Sequence, residues 1–215
     1  MKFNYGNAWE NFPIKKGEKW VINGASEVAV HDIFDPIPEF MNRPDLIFSD
    51  PPWNIGNVRS FYTKAGINWG DFDFAGFSDR FFECLKEIGP RICYIEIGNQ
   101  YVQDWKLRLS RMYEYTQSWQ VVYYGKFPTN IIRGAVDGIT SLDYTGLDEA
   151  KIIYQVAKNE AHSVMGDLCM GQGLVGLAAY EAGKQFVGTE LNERRLAVLL
   201  QKLSKKGAKI ERITM

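Results

Sequence analysis

Hydrophobic positions along the chain follow two alternating spacings, one typical of buried strands and the other typical of amphipathic helices. Continuous apolar runs predict strands in the segments 44–50, 91–97, 117–125, 129–136, 163–168 and 185–191. Apolar residues three or four positions apart predict helices in the segments 77–88, 102–112, 148–159 and 196–203, and one more from residue 174. This alternation predicts an α/β sandwich around a mostly parallel central sheet.

Two stretches, 54–76 and 134–147, show neither spacing and are rich in Gly, Asn, Asp and aromatic residues. We predict that both are loops. No low-complexity linker and no internal repeat divides the chain, so residues 1–215 are expected to form a single domain.

Composition and charge narrow the possible classes of protein. The chain has 215 residues, a formal net charge of −1 and three cysteines without paired spacing. These values argue against a strongly basic nucleic-acid binder, a disulfide framework and a metal site. No apolar run approaches the length of a membrane span, and the N-terminus lacks the apolar centre of a signal peptide. A cytoplasmic protein without membrane contact is therefore expected.

The segment FSDPPWNIGN, residues 48–57, overlaps the end of the first of these predicted strands. Asp50 lies where the strand ends, and Pro51 and Pro52 cannot donate to a sheet ladder. The chain therefore leaves the sheet as a stiff turn that carries Trp53. Rigidity at the carboxyl end of a strand is more useful to a binding site than to a core.

A second informative segment, residues 166–192, combines a predicted strand, a glycine-rich turn and a helix. Gly171 and Gly173 let a ligand approach the backbone closely, and the start of the helix supplies free N–H groups. Glu190 ends the next predicted strand, where its carboxylate can accept hydrogen bonds from both hydroxyls of a ribose. Two cofactors fit this pattern. A nicotinamide dinucleotide fits because Gly171, Gly173 and Gly176 have the spacing of its fingerprint, and S-adenosylmethionine fits because it also carries a ribose.

Together the two segments resemble the S-adenosylmethionine-dependent amino-methyltransferases of nucleic acids. The family's catalytic motif, an Asp, Asn or Ser followed by Pro-Pro and an aromatic residue, is matched by residues 50–53. Residues 167–173 (DLCMGQG) are similar to its cofactor loop, and residues 186–192 (FVGTELN) are similar to its ribose-binding strand. The catalytic motif comes before the cofactor loop. This order resembles the β class, which includes many adenine methyltransferases of bacteria and phages.

The resemblance implies a Rossmann-like methyltransferase fold that transfers a methyl group from S-adenosylmethionine to the exocyclic amino group of adenine in DNA. Asp50 and a backbone carbonyl in the turn of Pro51 and Pro52 would accept hydrogen bonds from that amino group. Trp53 would offer a stacking face to a base turned out of the helix. The implied cofactor contacts are Asp167, Cys169, Gly171, Gly173, Glu190 and Asn192.

The segments 54–76 and 126–147 are the candidate loops for catalysis and target recognition. The candidate substrate contacts are Asn54, Arg59, Lys126 and Arg133, and Glu96 ends a strand at the same predicted sheet edge. Few residues lie outside the predicted sandwich. We therefore expect a short or relaxed target sequence, unless a homodimer adds recognition surface.

The sequence departs from the family's pattern at two places. The family often has a Lys-Pro pair before the helix that precedes the cofactor loop, whereas residues 146–151 contain Lys151 and no proline. The family often has an Asp beside the cofactor's adenine, after the strand that precedes the catalytic motif. Here the segment 23–26 has no Asp, and Asp32 lies farther on.

Other functions remain open from the sequence. Within the resemblance, the target could be the amino group of cytosine, or adenine in RNA. From other classes, a nicotinamide-dependent oxidoreductase fits the glycine turn, and a catalytically inactive nucleic-acid-binding module is a further alternative. A measurement of cofactor binding would distinguish the oxidoreductase from a methyltransferase. A methyl-transfer assay would distinguish the inactive binding module.

Overall fold

The computed structural model describes residues 5–214, without the side chain of Thr214. Its strands are β1 (Glu18–Ile22), β2 (Ser26–Val30), β3 (Leu46–Ser49), β4 (Ile92–Ile97), β5 (Tyr115–Tyr123), β6 (Phe127–Ala135), β7 (Val164–Asp167), β8 (Gln185–Glu190) and β9 (Ile210–Thr214). Its helices are α1 (Ala8–Asn11), α2 (Ile55–Ala65), α3 (Phe74–Ile88), α4 (Val102–Ser110), α5 (Glu149–Asn159), α6 (Leu174–Glu181) and α7 (Glu193–Lys205), with a 3₁₀ turn at Glu39–Asn42. Within this range no helix has the length and apolar character needed to cross a membrane.

The strands form one sheet in the order β5-β6-β4-β3-β7-β8-β2-β1-β9. The five central strands, from β4 to β2, are all parallel, and an antiparallel pair closes each side. The predicted α/β sandwich with a mostly parallel central sheet is confirmed. In such sheets ligands bind outside the carboxyl ends of the parallel strands, and this edge is where β3, β4, β7 and β8 end.

Helices cover both faces of the sheet, and each face has its own apolar core. On one face α5, α6 and α7 pack against Phe48 and Tyr94, whose rings stack with centroids 5.6 Å apart. On the other face α2, α3 and α4 pack against Ile47 and Ile95. Side chains alternate between the faces along a strand. This alternation turns Asp50, two residues after Phe48, toward the α5 face.

The prediction that residues 54–76 form a loop was wrong, because they contain α2 and the start of α3. The Asn54 side chain accepts a hydrogen bond from the Asn57 N–H and caps the start of α2, and Gly66 ends it at φ 73°. Only Val58 and Tyr62 of α2 are buried. Its apolar stripe is therefore too narrow to stand out in the sequence.

The second candidate loop, residues 126–147, also contains regular structure, because β6 fills its first half. The sequence did not predict β1, β2 or β9. Each of these strands has five residues, and each carries at least one charged side chain among its apolar ones. Short strands of this kind lack the long apolar runs that revealed the central strands.

Candidate active site

A cleft of about 640 Å³ opens at the carboxyl ends of the central strands, a size typical of small-molecule sites. Two groups of residues line it. The acidic side consists of Asp50, Glu96 and Glu149, and the glycine-loop side includes Asp167, Gly171 and Glu190. The structure thus brings the predicted catalytic segment and the predicted cofactor loop to one site.

Asp50 is held in place by the tryptophan three residues later. The indole Nε1 of Trp53 donates a hydrogen bond of 2.8 Å to Asp50 Oδ1. The Trp53 ring also packs edge-on against Tyr123, with centroids 5.0 Å apart. It lies so close to Gly98 that a Cβ there would come within 3.1 Å of the ring. Trp53 therefore positions the carboxylate, a role that the sequence did not indicate.

Burial raises the pKa of Asp50 to about 6, although the hydrogen bond from Trp53 and the nearby charge of Arg195 oppose this shift. Pro51 and Pro52 line the cleft beside this carboxyl. Near neutral pH the ionised form of Asp50 predominates, so the carboxylate can accept a hydrogen bond from a ligand.

On the glycine-loop side, the carboxylate of Glu190 is bound by two backbone N–H groups. Gly171 donates to Oε2 at 2.6 Å, and Asn192 donates to Oε1 at 3.0 Å. Gly171 adopts φ +55°, and a Cβ there would lie 2.7 Å from the Arg195 guanidinium. Glycine at this position thus keeps the turn close to both Glu190 and Arg195.

The glycine-loop side also contains Asp167, whose carboxylate Oδ1 accepts from the Ser49 hydroxyl and the Cys169 N–H, each at 2.9 Å. Burial raises the pKa of Asp167 to about 8. Cys169 lines the cleft, and burial raises the pKa of its thiol. This thiol is therefore not poised as a nucleophile.

Two of the expected cofactor residues do not line the cleft. Gly173, at φ +78°, packs on α7, where a Cβ would lie 2.5 Å from Leu199. Asn192 caps α7 by accepting from the N–H groups of Arg194 and Arg195, and its amide donates to the Lys64 carbonyl. Both residues contact α7 and do not face the cleft.

The four candidate substrate contacts are separated by the fold. Asn54 is the α2 cap, and the guanidinium of Arg59 lies 4.2 Å above the Trp69 ring. Lys126 is exposed at the turn between β5 and β6. Arg133 is buried away from the cleft, where its Nε binds Glu160 at 3.0 Å. The expected substrate contact of Arg133 is therefore corrected, because its charge is already neutralised inside the protein.

Several residues of the cleft were not found from the sequence. Arg195 reaches it from α7, Glu149 from the start of α5, and Tyr123 and Tyr124 from the β5–β6 turn. The loop lengths and the register that bring these distant residues together have no signal in the local sequence.

Residues 23–26 form the turn from β1 into β2. They are therefore not the segment in which the Asp near the cofactor's adenine is expected. The strand before the catalytic motif ends at Val30, so Asp32 lies two residues beyond it. Its Oδ1 accepts from the Tyr62 hydroxyl at 2.6 Å and from the Phe34 N–H at 3.1 Å. Asp32 thus fixes Tyr62, which lines the cleft.

No protein-family model and no curated protein matches the chain. Among solved structures it is similar to M1.HpyAVI, with a TM-score of 0.55 and 13% identity over 82% of this chain and 97% of that one. It is also similar to TTHA0409 of Thermus thermophilus, named as a DNA modification methylase, with a TM-score of 0.57 and 12% identity over 83% and 94% of the two chains. A third neighbour is the PvuII DNA methyltransferase (cytosine-N4-specific), with a TM-score of 0.50 and 11% identity over 81% and 85% of the two chains. At these identities the likeness shows the fold, which is the Rossmann-like fold of these methyltransferases.

Proposed function

We propose that this chain transfers a methyl group from S-adenosylmethionine to the exocyclic amino group of adenine in DNA. The observation that carries the proposal is the Asp50 carboxylate, fixed by Trp53 beside a double-proline turn in a cleft that also contains the glycine loop. The fold likeness adds support, since M1.HpyAVI and TTHA0409 were each solved with S-adenosylmethionine.

The glycine-loop side fits S-adenosylmethionine. Glu190 ends β8 facing the cleft, where a carboxylate can accept from the hydroxyls of a ribose. Gly171 also lines the cleft, and its missing Cβ leaves room for the Arg195 guanidinium beside the turn. When bound, the cofactor supplies an electrophilic methyl group on its sulfonium.

The residues of the acidic side prepare the amino group. Its nitrogen is a poor nucleophile because the lone pair is delocalised into the ring. The Asp50 carboxylate accepts one N–H, and a backbone carbonyl of Pro51 or Pro52 accepts the other. Acceptors fixed in advance favour a more tetrahedral nitrogen and stabilise the charge that develops in the transition state. The remaining rate enhancement comes from the alignment of the two bound substrates.

The turn between β5 and β6 supports a nucleic-acid substrate. Tyr124 and Phe127 are 67% and 59% exposed, and they flank Lys126 beside the cleft. Exposed aromatic rings next to a lysine can stack on bases and contact a phosphate. On α2, Arg59 is a second candidate for phosphate contact.

Specificity for a long DNA sequence would need side chains that reach base edges from a dedicated element. In residues 5–214, the parts of the two candidate loops that lie outside helices and strands are short: 66–73, the β5–β6 turn and 136–148. We therefore propose a short or relaxed target of about one to four base pairs. Methylation of a random DNA library, read by single-molecule sequencing, tests this. A long, strict site read by the monomer would contradict it.

The function itself is tested by transfer of labelled methyl groups to DNA and RNA of mixed sequence, followed by nucleoside analysis. We expect label in N6-methyladenine from DNA. Label in N4-methylcytosine, or in RNA alone, would move the proposal to those substrates. Binding of NADH without binding of S-adenosylmethionine would contradict it and favour an oxidoreductase.

A further inference from the structure

Glu96 is a buried acid at the centre of the acidic side. Along the parallel pair of β3 and β4, Phe48 lies opposite Tyr94 and Ser49 opposite Ile95. The next position places Glu96 beside Asp50, on strands about 5 Å apart. The Glu96 side chain is fully buried and lines the cleft. Glu96 is thus placed to contact a ligand that Asp50 contacts.

Apart from the Thr129 hydroxyl, which lies close enough to lower the pKa of Glu96, no group in the described part of the chain satisfies this carboxyl group. Neither Oε1 nor Oε2 of Glu96 has a hydrogen-bond partner there. The nearby Thr129 hydroxyl gives its proton to the Ile97 carbonyl at 3.0 Å. Among residues 5–214, no cation forms an ion pair with Glu96, and no cluster of three His, Cys, Asp or Glu is placed to hold a metal. An unpaired buried acid is costly, and in this cleft Glu96 is a candidate contact for a ligand.

The neighbours of Glu96 determine its protonation. Burial raises its pKa well above the usual range, and the charges of Asp50, Glu149 and Asp148 raise it further, while the Thr129 hydroxyl opposes the shift. These groups come from β3, from α5 and its cap, and from β6. The charge of Arg195 lowers the pKa of Asp50, and it is not among the charges that act on Glu96. Burial and the neighbouring carboxylates therefore favour the neutral form of Glu96, which has one O–H donor and one carbonyl acceptor.

We propose that Glu96 is a base-recognition residue: its O–H donates to the ring nitrogen next to the carbon that carries the amino group, N1 in adenine. This inference rests on the proposed function. Adenine presents a ring-nitrogen acceptor beside its amino group, and the O–H of a neutral acid matches that acceptor. An ionised carboxylate has no proton to donate and would be repelled by the lone pair of the ring nitrogen. Asp50 keeps its separate task of accepting from the amino group.

Two substitutions test this role. Glu96→Gln keeps a donor and an acceptor and should leave the KM for DNA within about threefold of wild type. Glu96→Leu removes both and should raise that KM by about 5- to 150-fold, the loss expected for one base contact. Glu114→Leu, at the opposite edge of the sheet, is the matched control. Calorimetry should show that S-adenosylmethionine binds all four proteins equally.

A second measurement uses the wild-type protein only, so it does not depend on how the variants fold. DNA with 1-deazaadenine as the target should raise the KM as Glu96→Leu does, whereas 7-deazaadenine, which keeps N1, should not. An unchanged KM for 1-deazaadenine would overturn the inference, as would a Glu96→Leu variant that loses cofactor affinity while keeping its KM for DNA. Absence of any methyl transfer by the wild type would instead defeat the proposed function.

Discussion

The carboxyl groups on the two sides of the cleft differ in how many hydrogen-bond partners they have. On the glycine-loop side, Asp167 accepts two hydrogen bonds and Glu190 accepts two from backbone N–H groups. On the acidic side, Glu96 has no partner for either oxygen and Glu149 has none for Oε2 within the described chain. The glycine-loop side is therefore assembled before any ligand binds, whereas on the acidic side Trp53 holds only Asp50 in advance.

This difference matches two tasks. A cofactor that returns at every turnover benefits from a loop whose shape is already fixed, because less entropy is lost on binding. A base must be accepted, held and released, and acids without internal partners supply its contacts. The stability lost at the acidic side is typical of sites shaped for function. Substitutions on the two sides should therefore have different effects.

The largest expected effect is at Asp50. Asp50→Ala removes the fixed acceptor and should lower kcat by about a thousandfold or more. Cofactor affinity should change less than about threefold, since the carboxylate faces the base. The measurement is single-turnover methyl transfer, with Asp104→Ala on the exposed surface of α4 as the control. Turnover near the wild-type rate would refute the acceptor mechanism.

The next effect is on the glycine-loop side. Glu190→Ala removes the expected ribose contacts and the partner of the Gly171 N–H, and should weaken S-adenosylmethionine binding by about 1–3 kcal/mol. Isothermal calorimetry measures this loss. Glu181→Ala, near the end of α6 and ion-paired to Lys206, should leave the affinity unchanged. Equal loss in both variants would show that the effect is not local.

A smaller effect is expected at Trp53. Trp53→Phe keeps a ring but removes the N–H that lowers the pKa of Asp50. We expect turnover at pH 6 to fall about tenfold, the equivalent of one charge-assisted hydrogen bond, and to recover partly at pH 8. Trp9→Phe is the control, because the Trp9 Nε1 has no partner in the described structure. A pH–rate profile that does not move would contradict this role.

A further expected effect is on the pH dependence of stability. Burial raises the pKa of Asp50 to about 6 and those of Glu149 and Asp167 to about 8. These acids have pKa values near 4 when unfolded, so the folded protein binds more protons between these limits. The free energy of unfolding should therefore fall as pH rises from about 4 to 8.

Glu96→Leu sharpens this test, because it removes a buried acid without a partner. It should raise the free energy of unfolding at pH 8 by about 1–3 kcal/mol while impairing DNA binding. Thermal unfolding at several pH values measures both expectations. Stability that rises from pH 4 to 8 would contradict the protonation assigned to the cleft.

The central fold was predictable because its parallel strands are buried on both faces and read as apolar runs. The strands β1, β2 and β9 and the helix α2 were not, because they mix charged or polar side chains with apolar ones. Residues 50–53 and the predicted residues Asp167, Cys169, Gly171 and Glu190 do line one cleft, since strand ends and glycine turns leave a local signature.

The contacts that make the cleft work depend on tertiary structure. The sequence does not reveal that Trp53 binds Asp50, that Asn192 caps a helix or that Arg133 is neutralised by Glu160. In the sequence, Glu96 is marked only by its position at the end of a predicted strand. Its importance follows from the register of β3 and β4 and from the start of α5, which brings two more carboxyl groups to it.

The most direct test of the central claim is the nucleoside content of plasmid DNA from a host without adenine methylation of its own. The host expresses either the wild-type chain or Asp50→Ala, and the DNA is digested and analysed by mass spectrometry. The account predicts N6-methyladenine with the wild type and none with the variant. Plasmid DNA without N6-methyladenine from cells that contain the folded wild-type protein would contradict it.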